Sequence, residues 1–326
     1  MTSQTLSPSA SPEAITHKTP TVSSSWELRQ IAMHLGSQFQ VVRELGKGGM
    51  GVVFLARDIA LHRLVAIKVL RQEMTGSPDN HERFRREARM TARLSHPNIV
   101  PVHTFGEIGD FVYIIMKYVH GESLGARLRR EQTIGSADAR RILTELAQAL
   151  DYAHREGVVH RDLKAENILI ERGSGRAMLT DFGVALLRSL DPGRDDGARY
   201  GTPHYMSPEQ AAGEQDLDGR SDLYSLGVLG YYMTSGDLPF HAATFEALAA
   251  KQITEAHEPV RTVAPKLDDD VAAAIEGCLV KERDGRWRNG RELAESLANG
   301  GRKKGFAKAV WRLGASAAAL GVTLIG

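Results

Sequence analysis

Cysteine is all but missing from this chain: Cys278 is the single one in 326 residues. A lone thiol can close neither an intramolecular disulfide nor a multi-Cys zinc site. Its apolar setting, Val271 to Val280, marks it as a small buried side chain. An excess of either charge is missing as well, because 41 Lys and Arg face 40 Asp and Glu and leave a net +1. No overall field favours nucleic acid or an anionic membrane, and nucleic acid is not an expected partner. No apolar run of seven residues follows Met1, so the N-terminus does not read as a secretory signal. No internal repeat is visible.

What is present is ordinary for a folded protein. Apolar residues make up 42% and charged residues 25%, which excludes wholesale disorder and collagen-like repeats. At about 150 residues per domain, the length suits two domains or one two-lobed domain. Fifteen of the first 25 residues are Ser, Thr or Pro. Such a segment buries too little surface to offset its ordering entropy, so residues 1–36 are expected to be a disordered tail.

From Phe39 the residues favour strands. Phe39, Val41 and Val42, then Val52 to Leu55, flank Gly46, Gly48, Gly49 and Gly51, which reads as a hairpin with a glycine-rich loop. Leu64 to Leu70 is a third strand, and a helix is expected over 78–94. His96-Pro97-Asn98 ends it with turn chemistry. Ile99 to Phe105 and Phe111 to Tyr118 read as two more strands. Beyond Gly121 the pattern turns helical. Ile142, Leu143, Leu146, Ala149, Leu150 and Ala153 recur at helical spacing before a stop at Gly157. Leu223 to Met233 is apolar on nearly every face, as a helix in the middle of a domain is. Ser221 or Asp222 would cap it, and Gly236 follows. Further helices are expected near 244–253, 267–279 and 290–297. The fold class is α+β: a small β-rich lobe, then a larger, mainly helical one.

Gly46-Lys47-Gly48-Gly49-Met50-Gly51-Val52-Val53 fits G-x-G-x-x-G-x-V. In dinucleotide folds such glycines open a helix. Here a strand follows, and glycines in a hairpin let backbone N–H groups approach phosphates that a Cβ would block. Val65-Ala66-Ile67-Lys68 sets a lysine among apolar strand residues, where an unpaired charge is expensive. Lys68 needs phosphates or a carboxylate beside it, and Glu87 on the next helix is the best carboxylate candidate. His160-Arg161-Asp162-Leu163-Lys164-Ala165-Glu166-Asn167 follows the long helix, and Asp181-Phe182-Gly183 comes 14 residues after Asn167.

Together and in this order, over residues 39–298, these motifs resemble a protein kinase of the eukaryotic-like (Hanks-type) serine/threonine class found in bacteria. The resemblance implies a two-lobed protein kinase fold, with an N-lobe over 39–116, a hinge over 117–120 and a C-lobe over 121–298. It implies ATP as phosphoryl donor and Mg2+ as cofactor, with Mn2+ able to take its place. The acceptors it implies are Ser/Thr hydroxyls of protein substrates, the chain itself among them, in signalling. Phosphoryl transfer redistributes negative charge, so catalysis is mostly positioning and placement of cations. By resemblance, Asp162 orients the substrate hydroxyl and accepts its proton, and Lys164 screens the moving phosphoryl group. Lys68 holds the α- and β-phosphates, with Glu87 keeping it in place. Asn167 and Asp181 hold the metal, whose preference for hard oxygen ligands they suit. The loop Gly46 to Gly51, with Lys47 and Met50, covers the phosphates. The adenine pocket falls at Val53, Ala66, Met116, Val119 and Leu169, with Met116 at its back. Lys117 stands where the family has Glu, but the adenine contact there is through backbone.

Lys164 and the segment Gly201 to Glu209 resemble the Ser/Thr branch and its protein-substrate platform, with Thr202 bonding Asp162 and Lys164. Glu209 with Arg286 resembles a buried ion pair between distant segments, and Asp222 resembles the residue that braces the catalytic loop. The activation segment departs from the pattern, because no Thr lies between Gly183 and Gly201. Three readings stand: Ser189 is a phosphorylated switch that pairs with Arg161, or one of Asp191, Asp195 and Asp196 satisfies Arg161 permanently, or the acidic stretch is only a mobile solvated loop. Two competing readings are an ATP-binding scaffold without transfer and a kinase of small molecules or lipids. The full set of catalytic residues disfavours the first and the platform segment disfavours the second.

At the end of the chain Arg302, Lys303, Lys304, Lys308 and Arg312 precede Leu313 to Gly326, which carries no charge. As a helix that segment rises about 21 Å, short of the ~30 Å hydrocarbon core. The basic flank and apolar run fit either membrane attachment, with the kinase on the cytoplasmic side, or a small packed helix.

Overall fold

The computed structural model describes residues 32–48, 51–70, 86, 88–108, 111–182 and 203–300. In the small lobe the antiparallel strands β1 (Phe39–Gly48), β2 (Gly51–Asp58), β3 (Arg63–Leu70), β4 (Val102–Ile108) and β5 (Phe111–Lys117) form one sheet in the order β1-β2-β3-β5-β4. β2 and β3 pair without slip from Gly51↔Leu70 to Asp58↔Arg63. Their alternate residues Val52, Phe54 and Ala56, with Val65, Ile67 and Val69, enter one buried cluster, and that burial fixes the register. β1 carries two register irregularities, at Val41/Arg43 and Glu44/Gly46, which bend a strand. Gly51 has φ of 148°, and a Cβ there would collide with the Val69 carbonyl oxygen. Glycine lets β2 start this close to β3.

Some boundaries move. Residues 32–35 form a helical turn, and Leu35 is buried with Phe54, Ile67 and Ile115. The packed unit therefore begins ahead of residue 36, because this apolar side chain lies beyond the Ser/Thr/Pro-rich run. β4 starts at Val102 and not at Ile99. Pro101 offers no N–H to a ladder, and Ile99 makes an isolated parallel bridge to Leu179 instead. Of the helix expected over 78–94, residues 86 and 88–91 are helical, while 71–85 and 87 lie outside the described residues.

The large lobe opens with the sheet β6 (Gly121–Ser123), β7 (Ile168–Glu171) and β8 (Ala177–Leu179). Its helices are α1 (Leu124–Glu131), α2 (Ser136–Arg155), α3 (Pro208–Ala211), α4 (Gly219–Ser235), α5 (Phe245–Thr254), α6 (Val260–Val263), α7 (Asp269–Cys278) and α8 (Gly290–Ala298). The apolar stripe of α2 is buried along its length. α4 is enclosed, with 13 of its 17 residues buried, and it packs on α2 and α7. Gly227 of α4 lies where a Cβ would come within 2.5 Å of the Cys278 Cβ, so the absent side chain lets α4 and α7 approach closely. Cys278 is accordingly a packing residue, and burial pushes its thiol pKa up. Each large apolar side chain buried on α4 contributes about 1.5–3 kcal/mol. The N-cap of α4 is Asp218, whose carboxylate accepts the Arg220 N–H at 2.8 Å. Ser221 and Asp222 do not cap the helix: Ser221 turns to Glu209 in the core and Asp222 to the loop ahead of β7.

Candidate active site

The segment between α2 and β7 carries His160 to Asn167, and α4 fixes its backbone. Asp222 Oδ1 accepts the Arg161 N–H at 2.8 Å, and Oδ2 accepts the His160 N–H at 2.8 Å. His154 Nε2 lies 2.7 Å from the same Oδ2. Burial by itself would raise the Asp222 carboxyl; His154, His160 and the His160 amide outweigh it and hold the group below the usual carboxylate range. With both amides held, Arg161 sits at φ 64°, a left-handed conformation that costs a non-glycine residue roughly 1–2 kcal/mol. Past that kink the functional side chains meet. Lys164 Nζ donates to Asp162 Oδ2 at 2.8 Å. Asn167 Nδ2 donates to the Asp162 carbonyl at 2.8 Å and to Oδ2 at 3.1 Å.

Thr180 and Asp181 form the second limb. The Thr180 N–H donates to the Asn167 carbonyl at 3.0 Å. The Thr180 carbonyl lies 2.9 Å from His160 Nε2, while His160 Nδ1 accepts the Asp162 N–H at 3.3 Å. These bonds place the ring proton on Nε2. Phe182 packs on the same ring, with centroids 4.6 Å apart. Asp181 is also left-handed, at φ 67°, and its Oδ1 lies 2.7 Å from Lys68 Nζ. Among the described residues the carboxylate beside Lys68 is Asp181, from the other lobe. Glu87, the partner read from the sequence, lies outside the described residues.

An apolar wall lines the junction of the lobes. Ala66, Met116 and Val119 share a buried cluster with Val100 and Met178, and Val53, Leu45, Ile114 and Leu169 pack against it. The five pocket residues read from the sequence are therefore together, drawn from β2, β3, β5, the connector and β7. Beside them Lys117 Nζ pairs with Glu171 Oε1 at the end of β7, at 3.2 Å. Of the glycine-rich loop, Gly46, Lys47, Gly48 and Gly51 belong to β1 and β2, with Gly48 opposite Gly51.

Glu209 and Arg286 meet in the core. Arg286 Nη1 and Nη2 donate to Glu209 Oε1 and Oε2 at 2.7 and 2.8 Å. Its remaining N–H groups go to the carbonyls of Val280, Lys281 and Arg220, so all five guanidinium donors are used. Burial by itself would raise the Glu209 carboxyl, but bonds from Arg286 and Ser221 outweigh it and bring the pKa down to about 2.

Ser189, Thr202, Gly49 and Met50 lie outside the described residues, and with them the choice between Ser189 and an aspartate as partner of Arg161. The sequence reading missed three residues that shape the site. Thr180 joins the two limbs and was signalled by its place beside Asp181. Gln210 donates to the Arg161 carbonyl at 2.9 Å from a capping box with Ser207, and Ser-x-x-Gln was readable as such a box. His154 gave no signal, because its partner Asp222 lies 68 residues away.

Residues 39–297 match the family model for the protein kinase domain. The chain belongs to the protein kinase family. It is 39% identical over 274 residues to the serine/threonine-protein kinase PknA of Mycobacterium tuberculosis, which covers 82% of this chain and 62% of that protein. It is 38% identical over 272 residues to PknB of Mycolicibacterium smegmatis, covering 81% of this chain and 43% of that one. The chain thus spans less than two thirds of the length of these curated relatives. The crystal structure of the Mycobacterium tuberculosis PknI kinase domain matches at a TM-score of 0.66 and 29% identity, over 81% of this chain and 96% of that one. The two-lobed kinase fold expected from the motifs is the fold observed.

Proposed function

We propose that the chain is an ATP-dependent protein serine/threonine kinase that passes the γ-phosphoryl group of ATP to Ser/Thr hydroxyls of proteins, itself included, in signalling. The observation that carries this reading is the convergence of Lys68, Asp181, Asn167, Asp162 and Lys164 at the junction of the lobes, beside an apolar wall. In this reading the wall takes the adenine and the Lys68 ammonium holds the α- and β-phosphates. Asp162 accepts a hydrogen bond from the substrate hydroxyl, aims it at the γ-phosphorus and takes its proton. The new oxygen–phosphorus bond forms as the bond to the bridging oxygen breaks, and that electron pair leaves with ADP. Lys164 offsets the charge on the group in transit.

Asn167 and Asp181 fit a divalent metal. The Asn167 amide nitrogen is engaged by Asp162, which leaves its oxygen as the atom to offer a cation. Asp181 adds a carboxylate. Few, hard oxygen donors suit Mg2+, with Mn2+ able to replace it. Bound there, the metal would neutralise phosphate charge.

Labelled phosphate is expected to pass from ATP to a protein acceptor or to the chain itself, and Asp162→Asn is expected to slow it by about 10²–10⁴-fold. Transfer at the wild-type rate by Asp162→Asn overturns the assignment, as does a wild type that binds ATP and transfers nothing. The kinase domain is read as cytoplasmic. Among the described residues no helix is long and apolar enough to cross a membrane, so attachment is read on residues 302–326 alone, outside them. Recovery in the membrane fraction that disappears on deleting 302–326 supports attachment; equal partition of both forms rejects it.

A further inference from the structure

A file of polar side chains, buried but for the half-buried Lys281 at its head, takes no part in the steps above. It runs through the large lobe to the 3-10 turn Pro203–Tyr205, inside the segment read as the substrate platform. Lys281 Nζ donates to Tyr224 Oη at 3.2 Å, and Tyr224 Oη donates to Gln252 Oε1 at 2.7 Å. Gln252 Nε2 then donates to the His204 carbonyl at 2.9 Å. Tyr224 and Gln252 are fully buried.

The polarity of the whole file follows from its first member. An ammonium can donate but cannot accept. Tyr224 oxygen must therefore accept from Lys281, and its own proton goes to Gln252. With the amide oxygen taken, the amide NH2 faces His204. Burial and the nearby Arg286 lower the Lys281 pKa to about 8, so at pH 7 it is still an ammonium. Lys281 is anchored by the carbonyls of Lys251 and Gln252, at 3.3 and 2.7 Å, and lies 4.1 Å from the Phe240 ring centroid. Beside this file, buried Ser225 donates its hydroxyl to the Tyr205 carbonyl at 2.7 Å. Two consecutive carbonyls of the turn are thus held by side chains of the core. Filling the space needs no such groups, since apolar side chains would fill it and leave the turn unheld.

We propose that Gln252, oriented by Lys281 and Tyr224, is a positioning residue that holds the His204–Tyr205 turn in the geometry an acceptor polypeptide docks against. The inference rests on reading 201–209 as the protein-substrate platform. The full chain is tested with the near-isosteric variants Tyr224→Phe and Gln252→Met. Loss of one oriented bond is expected to raise KM for a Ser/Thr peptide about fivefold, with KM for ATP unchanged. Amide hydrogen exchange at Tyr205 and Met206 is expected to quicken in both variants, a readout that does not depend on phosphate transfer. Peptide and ATP KM rising together, or exchange at those two amides staying at the wild-type rate, overturns the proposal. A wild type that transfers no phosphate defeats the kinase reading instead, and the exchange measurement still decides the positioning role.

Discussion

The two sides of the cleft are held by opposite means. On the side read as the nucleotide's, Val53, Ala66, Met116 and Leu169 stand on or at the end of strands. Strands satisfy their own N–H and C=O groups, so their side chains are left to be apolar. On the catalytic side the backbone of 160–167 and 203–207 has no such ladder. Its polar groups are met by Asp222 and Ser225 of α4 and by Gln210. A helix that is apolar on nearly every face therefore carries a few buried polar residues, and these set the shape of the loops. A wall made by packing should weaken by degrees, whereas a brace made of buried polar bonds should fail as a unit.

The largest effect is expected where the brace delivers its product. Asp162→Asn should lower phosphoryl transfer by about 10²–10⁴-fold, with the thermal midpoint unchanged, as read by labelled-phosphate kinetics and calorimetry. Asp222→Ala comes next. It leaves two loop amides and His154 without their carboxylate, for a loss of about 3–5 kcal/mol in denaturant unfolding. If that variant loses no more than a single wall substitution, the contrast between brace and wall fails.

Acid should find the brace before the wall. The Glu209 pKa is depressed from 4.5 to about 2, so its contribution is present above the unfolded value and is lost as pH falls from there towards 2. The shift corresponds to about 3 kcal/mol. Urea unfolding of wild type between pH 6 and pH 3 should lose stability that the Glu209→Gln, Arg286→Met double variant never has. Parallel pH curves for the two proteins would dissociate this pair from acid stability. The wall is expected to answer more gently: Val53→Ala should cost about 1 kcal/mol and raise KM for ATP severalfold, with KM for peptide unchanged.

How far the sequence revealed all this follows the same division. The strands of the small lobe, the stripe of α2 and the buried α4 were legible, because periodicity reports burial. The motif residues were legible as types, and the five wall residues do come together, three in one buried cluster and Val53 and Leu169 packed against it. Partnerships between side chains were legible only where the resemblance supplied them, as for Glu209 with Arg286 and Asp222 with the catalytic loop. The Lys68–Asp181 contact, between residues 113 positions apart, had no such signal; the pairing read for Lys68, with Glu87, lies outside the described residues. Ser221 and Asp222 looked like caps by position, yet Ser221 donates to Glu209 at 2.5 Å and Asp222 serves the loop. A polar residue at the head of a helix has the same local pattern whether it caps its own helix or braces another segment. The deciding partner is far away in the chain.

The smallest effect is expected where the two sides meet. Lys117 ends β5, and its Nζ lies 3.2 Å from Glu171 at the end of β7. Glu171 also accepts the Ser174 hydroxyl at 2.8 Å. Bonds from Ser174 and Lys117 hold the Glu171 carboxyl below its ordinary value. The Lys117 side chain is 41% exposed, so water and salt screen the pair to about 0–1 kcal/mol. Lys117→Glu sets two carboxylates facing each other across the hinge. On the reading that adenine is contacted through backbone, KM for ATP should rise by about two- to threefold at low salt and return near wild type at ~0.5 M salt, where the Debye length is a few Å. The turnover rate should not change, because the pair touches neither Asp162 nor Lys68. A tenfold rise, or one indifferent to salt, would mean that the hinge is held as the catalytic loop is held, by a polar bond the site cannot lose.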